Sequence, residues 1–183
     1  MIYIMENESS DFLMVPHERI GAIIGKNGET KREIETITKT KIEIDSKEGS
    51  VEITQKGAPY EYLKAFRIIK AIARGFSPEK SFRLLDDDCM FELIELRDIL
   101  GKNQSMLTAK KGRVIGNQGK ARDEIERDTG ANISVYGKTI AIIGKEEEVA
   151  AARKAIDMLL HGASHTAVYD SLKRKKINDK FEL

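Results

Sequence analysis

Apolar residues in this chain follow two rhythms, one helical and one alternating, and the order of the rhythms occurs twice. Residues 11–15 (Asp11-Phe12-Leu13-Met14-Val15) read as a short strand stopped by Pro16. Ile20, Ile23 and Ile24 then recur at helical spacing, which predicts a short helix over His17–Ile24. From Glu29 to Thr38, Ile34 and Ile37 stand among charged residues, the pattern of an amphipathic helix with one buried stripe. Residues 41–45 and 51–54 alternate with period two, and Ser46-Lys47-Glu48-Gly49-Ser50 between them supplies the turn of a hairpin. Pro59 opens a long helix that turns Leu63, Phe66, Ile68, Ile69 and Ile72 inward and stops at Gly75.

The same order returns further along. Ser77-Pro78-Glu79 is a helix start, with serine at the cap, proline at the first position and acid in the first turn, so residues 77–87 read as a helical linker. A strand follows from Met90 to Leu96. About twenty residues then intervene before the next helix–helix junction, against about ten in the first series, so residues 97–111 hold an insertion worth a helical turn or two. A helix over Lys120–Thr129, strands over Asn132–Tyr136 and 139–143, and a helix from Glu146 through Leu160 complete the second series. In the tail, Val168 and Leu172 at helical spacing predict a docked helix over 164–176 that frays from Ile177 to Leu183. The domains expected are therefore 10–76, the linker 77–87, 88–162 with its insertion, and the tail 163–183.

At the centre of each series two glycines stand three positions apart: Gly25-Lys26-Asn27-Gly28, and 91 positions later Gly116-Asn117-Gln118-Gly119. At that offset Glu33-Ile34-Glu35 falls on Glu124-Ile125-Glu126, and Ile42 on Ile133. A single Gly-x-x-Gly carries little information; two copies inside matching periodicity indicate a duplicated module. Between two helices such a pair lets the backbone approach a ligand closely, because no side chain intervenes. The start of the second helix directs unpaired amides and a partial positive charge at the same point, a site for an anion such as a backbone phosphate. No G-x-x-x-x-G-K-[ST] or G-x-G-x-x-G is present, so nucleotide hydrolysis has no supporting motif.

Composition narrows the class. The 183 residues are 40% apolar and 33% charged, as in a globular protein. No apolar stretch approaches the roughly 18 to 20 residues that cross a bilayer, and residues 1–6 lack a secretory pattern; a cytoplasmic protein without membrane contact is expected. The lone Cys89, among Met90, Phe91, Leu93 and Ile94, is expected to be a core thiol. His161 and His165 have no Cys or His companions, so no metal or other cofactor is called for. Net charge is +1, but base gathers near the second junction: eight basic residues against four acidic from Arg97 to Arg127. No nucleophile–base set or metal-spaced carboxylates point to an enzyme.

The stretch Val15-Pro16-His17-Glu18-Arg19-Ile20-Gly21-Ala22-Ile23-Ile24-Gly25-Lys26-Asn27-Gly28, followed by Lys31, Ile34 and Ile42, closely resembles the KH-domain signature, and the second copy does so from Gly112-Arg113-Val114-Ile115 onward. The resemblance implies an α+β fold of two tandem type I KH domains. Each would be β-α-α-β-β-α, with a three-stranded antiparallel sheet packed on helices. In such domains the Gly-x-x-Gly loop clamps about four single-stranded nucleotides. The apolar floor would be Ile23, Ile34, Ile42 and Ile44, then Val114, Ile125, Ile133 and Val135, with Ile34 and Ile125 read as core. Linker residues 74–85, residues 95–103 and the pairing of 134–139 with His165-Thr166-Ala167-Val168-Tyr169 resemble the archaeal small-subunit ribosome-assembly KH proteins, counterparts of the eukaryotic partner-of-Nob-One and Krr family.

That second resemblance implies a non-enzymatic, RNA-binding assembly factor that grips single-stranded small-subunit ribosomal RNA near its 3′ end. It implies as partners the Nob-One-type endonuclease and other assembly proteins. The residues expected to bind RNA are Arg19, Gly25, Lys26, Asn27, Gly28, Lys31 and Ile42 in the first module. In the second they are Arg113, Gly116, Asn117, Gln118, Gly119, Lys120, Arg122 and Ile133, with the firmer grip. A different class of reading, a protein-interaction adaptor using one KH-like fold as a docking surface, is motivated by the insertion and the acidic runs.

Overall fold

The computed structural model describes residues 10–181, with side chains through Arg174. The chain divides between Leu85 and Asp86 into two compact units. In the first, strand β1 (Ser10–Met14) is followed by helices α1 (His17–Ile24) and α2 (Glu29–Thr38), strands β2 (Thr40–Asp45) and β3 (Ser50–Gln55), and helix α3 (Pro59–Ala73). The sheet order β1-β3-β2 is antiparallel throughout and leaves β2 at an edge. Asp45 makes the hairpin turn by accepting the amides of Lys47 and Glu48 on its carboxylate, while its carbonyl receives the Gly49 N–H.

The second unit repeats this order with β4 (Cys89–Glu95), α6 (Gln104–Ile115), α7 (Lys120–Thr129), β5 (Asn132–Tyr136), β6 (Thr139–Lys145) and α8 (Glu146–Leu160). Its sheet, β4-β6-β5, has β5 at the equivalent edge. Before it, helix α4 (Pro78–Ser81) and a 3₁₀ turn over Phe82–Leu85 close the first unit: Leu84 is buried and Lys64 donates to the Leu85 carbonyl at 2.8 Å. The insertion forms helix α5 (Leu96–Leu100) and lengthens α6, which at twelve residues replaces the eight of α1. Helix α9 (His165–Phe181) packs on α7 and α8 through Val168 and Leu172, and stays helical past Ile177, where fraying was expected; residues 182 and 183 lie outside the described part.

In the first unit's core are Ile23, Ile34, Ile42, Val51, Ile53, Ile68, Ile69 and Ile72, all fully buried. Two expected members are missing. Leu63 is exposed and Tyr62 fills the inward place, because the core face of α3 runs one position earlier than the leucine implied and Asp11 accepts the tyrosine hydroxyl. Ile37 is exposed as well; Thr38 turns in instead, its hydroxyl held by the Ile34 carbonyl and by Thr40. Phe66 is only half-buried. Cys89 is a buried free thiol, as its apolar neighbours predicted.

Candidate nucleic-acid interface

Each Gly-x-x-Gly loop joins two helices, and the two loops have one conformation. Gly25 and Gly116 lie at φ 72°, ψ 177° and φ 75°, ψ 176°. The next-but-one residues, Asn27 and Gln118, are left-handed at φ 52°, and Gly28 and Gly119 at φ 78° and 83°. The glycines meet two separate demands. A Cβ on Gly25 would lie 2.8 Å from the Thr30 nitrogen, and one on Gly116 would lie 2.6 Å from that of Ala121, so the first glycine lets the chain press against the helix that follows. Gly28 and Gly119 supply a left-handed backbone immediately before that helix.

Neither α2 nor α7 has a side-chain cap at its first turn, among the described residues. The loop folds onto itself instead, through Gly28 N–H to Gly25 O and Gly119 N–H to Gly116 O at 3.2 and 3.3 Å. The middle residues Lys26, Asn27, Asn117 and Gln118 are exposed. An uncapped helix start beneath an exposed, side-chain-poor loop with polar and cationic tips is suited to an anionic backbone.

Among the flanking residues, Arg19 and Arg113 bond the backbone of their own unit. Arg19 donates from Nε to the Ile72 carbonyl at 2.8 Å and from Nη2 to that of Phe76; Arg113 donates to Leu159 at 3.2 Å and to Ala163 at 2.6 Å. Both guanidinium groups thus brace the chain at and just past the end of a long helix, where the Ile72 and Leu159 carbonyls also accept the N–H of Gly75 and Gly162. They reach equivalent targets from different places, since the repeat equivalent of Arg19 is Lys110, itself bonded to the Leu160 carbonyl. Lys111 donates to Gly137 O, and Arg122 bonds Asp123. Much of the base counted around the second loop is therefore held internally. Lys26 and Lys120 remain exposed beside the loops, and Lys31 stands 3.7 Å from Glu35.

Ile42 is fully enclosed and Ile133 is 3% exposed, so neither side chain offers a surface to a base. Half-buried Ile44 and Val135 are the floor residues that reach solvent. What does stand at this edge went unread in the sequence: Glu35 and Glu126, which accept the backbone N–H of Ile42 and Ile133, each at 2.7 Å. The coincidence of Glu-Ile-Glu in the two copies was the available signal. His161 and His165 bond the carbonyls of Asp157 and Arg113, and no group of three or more acidic, His or Cys side chains that could hold a metal is found among the described residues. No described helix is long and apolar enough to cross a membrane.

Two β-α-α-β-β-α units, each with this loop between its first two helices, define KH domains, the class of module that handles single-stranded nucleic acid. The model of the eukaryotic type KH-domain (KH-domain type I) matches residues 90–177, and that of the KH domain matches residues 10–71. A KH domain-containing protein of Methanocaldococcus jannaschii is 42% identical over 174 residues, covering 93% of this chain and 76% of that protein. The structure of Dim2p from Pyrococcus horikoshii is 45% identical with a TM-score of 0.85, covering 91% of this chain and 99% of that one. The same organism's a/eIF2alpha–aDim2p–rRNA complex contains a chain that is 44% identical with a TM-score of 0.88, over 95% of this chain and 97% of that one. The chain belongs to the tandem-KH family of Dim2 and PNO1. Pre-rRNA-processing protein PNO1 of Debaryomyces hansenii is 32% identical over 74% of this chain, which spans about half (51%) of that relative's length.

Proposed function

We propose that this chain is a non-catalytic ribosome-assembly factor that grips single-stranded small-subunit ribosomal RNA, near its 3′ end, through both Gly-x-x-Gly clamps. The observation that carries the reading is the pair of loops with the same backbone conformation, each open at an uncapped helix start. Kinship with Dim2p, solved with rRNA, and with the pre-rRNA-processing protein PNO1 supports ribosomal RNA as the ligand. Action beside a Nob-One-type endonuclease in the cytoplasm belongs to the same proposal.

A double substitution, Asn117→Asp with Gln118→Asp, places two negative charges where a phosphate would lie. It is expected to weaken binding of a single-stranded 3′-end rRNA fragment by about 10- to 100-fold, or about 1.4 to 2.8 kcal/mol, with the melting curve unchanged. Adding Lys26→Asp and Asn27→Asp should weaken it further. Unchanged affinity with all four substitutions would refute the clamps. Log affinity should also fall with log salt by about 0.7 per neutralised phosphate.

The adaptor reading has one specific support: a/eIF2alpha accompanies rRNA in the Pyrococcus horikoshii complex. Capture of a protein partner that survives nuclease treatment would add this role; capture that nuclease abolishes would reduce it to shared RNA.

A further inference from the structure

β2 and β5 are edge strands, and the amides of Ile42 and Ile133 bond a side chain from α2 or α7 instead of a neighbouring strand. Those amides therefore point out of the sheet, toward the helix that begins at the Gly-x-x-Gly loop. Glu35 and Glu126 bridge the opening between helix and edge in both units, at the same 2.7 Å distance. Six residues separate Glu29 from Glu35, so the carboxylate lies about 9 Å along the axis from the loop. That is within the span of the roughly four nucleotides a KH clamp holds. With Ile42 and Ile133 enclosed, a side-chain polar group that a base can touch at this edge is the carboxylate; the Glu35 side chain is 23% exposed.

Holding one amide needs a single acceptor, which the carbonyl of a glutamine would provide without repelling RNA. A carboxylate so placed puts a negative charge beside a polyanion's path, offset at Glu35 by the partly exposed pair with Lys31 at 3.7 Å, and the chain keeps it in both copies. A carboxylate has about four acceptor sites and no donor, so after taking the isoleucine amide it can still accept from a ligand and can never donate. We propose that Glu35 and Glu126 select the base in each clamp by accepting a hydrogen bond from an exocyclic amino group. Adenine, cytosine and guanine carry that group at the Watson–Crick edge; uracil does not, and its one donor there, N3–H, is flanked on both sides by carbonyl oxygens that the carboxylate repels. This rests on the RNA-clamp reading and adds to it the kind of base each clamp favours.

Glutamine at both positions separates reading from bracing. Its carbonyl can keep the isoleucine amide, while its NH₂ turns an acceptor toward the base into a donor. Dissociation constants of the full chain for single-stranded oligo(A), oligo(C) and oligo(U) of equal length supply the test. The wild type is expected to bind oligo(A) and oligo(C) about 10-fold or more tighter than oligo(U), the scale of one good base contact. In Glu35→Gln/Glu126→Gln that ratio should fall to near one or invert in favour of oligo(U). A ratio that survives the double substitution, or a wild type indifferent among the three, overturns the selection while leaving the clamps in place. A wild type that binds none of the three overturns the clamp reading too. Thermal melts monitor the fold, and each single substitution carries the same ratio test should the double variant unfold.

Discussion

The two units hold the same loop by different means. In the first, an eight-residue helix leads into Gly25 and Arg19 ties the end of α3. In the second, a twelve-residue helix leads into Gly116, and Arg113 and Lys110 share the end of α8. The middle residues differ too, and Glu29 at the first position of α2 is replaced by Lys120 in α7. Yet the paired φ angles agree within about 5°: 72° and 75°, 52° and 52°, 78° and 83°. Loop geometry is thus set by the glycines and by the contact of the first glycine with the following helix. What precedes the loop can be lengthened, and its anchors moved, without disturbing it. A duplicated module that varies its supports and keeps its loop places the shared demand on the loop.

The sharpest way to break this comparison is to add a methyl group at the first glycine. Its φ near +75° with ψ near 180° is a region that only glycine adopts readily. In Gly116→Ala the new Cβ would also meet the nitrogen and Cβ of Ala121 at 2.6 Å, neither of which can rotate away. Strain and overlap together should cost about 3 to 5 kcal/mol and lower the melting temperature of the second unit by roughly 10 °C or more. Gly25→Ala should cost somewhat less, since part of its overlap is with the Thr30 hydroxyl, which can turn. Gly119→Ala meets nothing nearer than 3.4 Å and should cost only about 1 to 2 kcal/mol for its left-handed backbone. If all three melt alike, contact with the following helix does not set the loop.

The anchors come next. Arg19→Met removes the donor of the Phe76 carbonyl and one of the two at Ile72, which keeps the Gly75 N–H, and should cost about 2 to 3 kcal/mol. Arg113→Met should cost about 1 to 2 kcal/mol, because Lys110 still holds the Leu160 carbonyl at the same helix end. Denaturant melts measure both. RNA affinity of the folded variants should be unchanged; a salt-dependent loss of affinity in either would place that arginine on the RNA surface.

These contacts mark where the sequence stops being readable. Element order and the bounds of α1, α2 and α7 followed from local periodicity, and the loops from two glycines repeated at one offset. The backbone contacts of Arg19 and Arg113 were not legible because their partners lie 46 to 57 residues away, and a cation beside a phosphate loop looks the same in sequence whether it faces out or in. Leu63 and Tyr62 exchanged roles for the same kind of reason: hydrophobicity favours the leucine, but Asp11, 51 residues upstream, gives the tyrosine hydroxyl a partner. Ile42 and Ile133 do lie on the edge strands β2 and β5, yet period two cannot distinguish a side chain that is touched from one that is sealed. Glu35 and Glu126 were hidden among ordinary helix-surface charges.

Tyr62 also gives the smallest and most selective difference between the units. It is the fourth residue of α3, and the fourth residue of α8 is Val149, also buried, with nothing to titrate. Burial, and then the Asp11 carboxylate that accepts its hydroxyl hydrogen bond, hold the Tyr62 phenol well above the usual tyrosine range. A group raised in the folded state contributes stability that is complete below its unfolded value, about 10 for tyrosine. That contribution is lost as pH rises above it toward the folded value. The first unit should therefore lose on the order of 1 kcal/mol between pH 8 and pH 11 through this residue, while the second has no counterpart to Tyr62 at that position. Urea melts read separately for each unit, in wild type and Tyr62→Phe, measure the term as their difference. The phenylalanine variant should flatten the alkaline loss in the first unit and leave the second untouched. An equal alkaline loss in wild type and variant would show that the phenol titrates freely, and that Asp11 and burial do not distinguish this helix from its repeat.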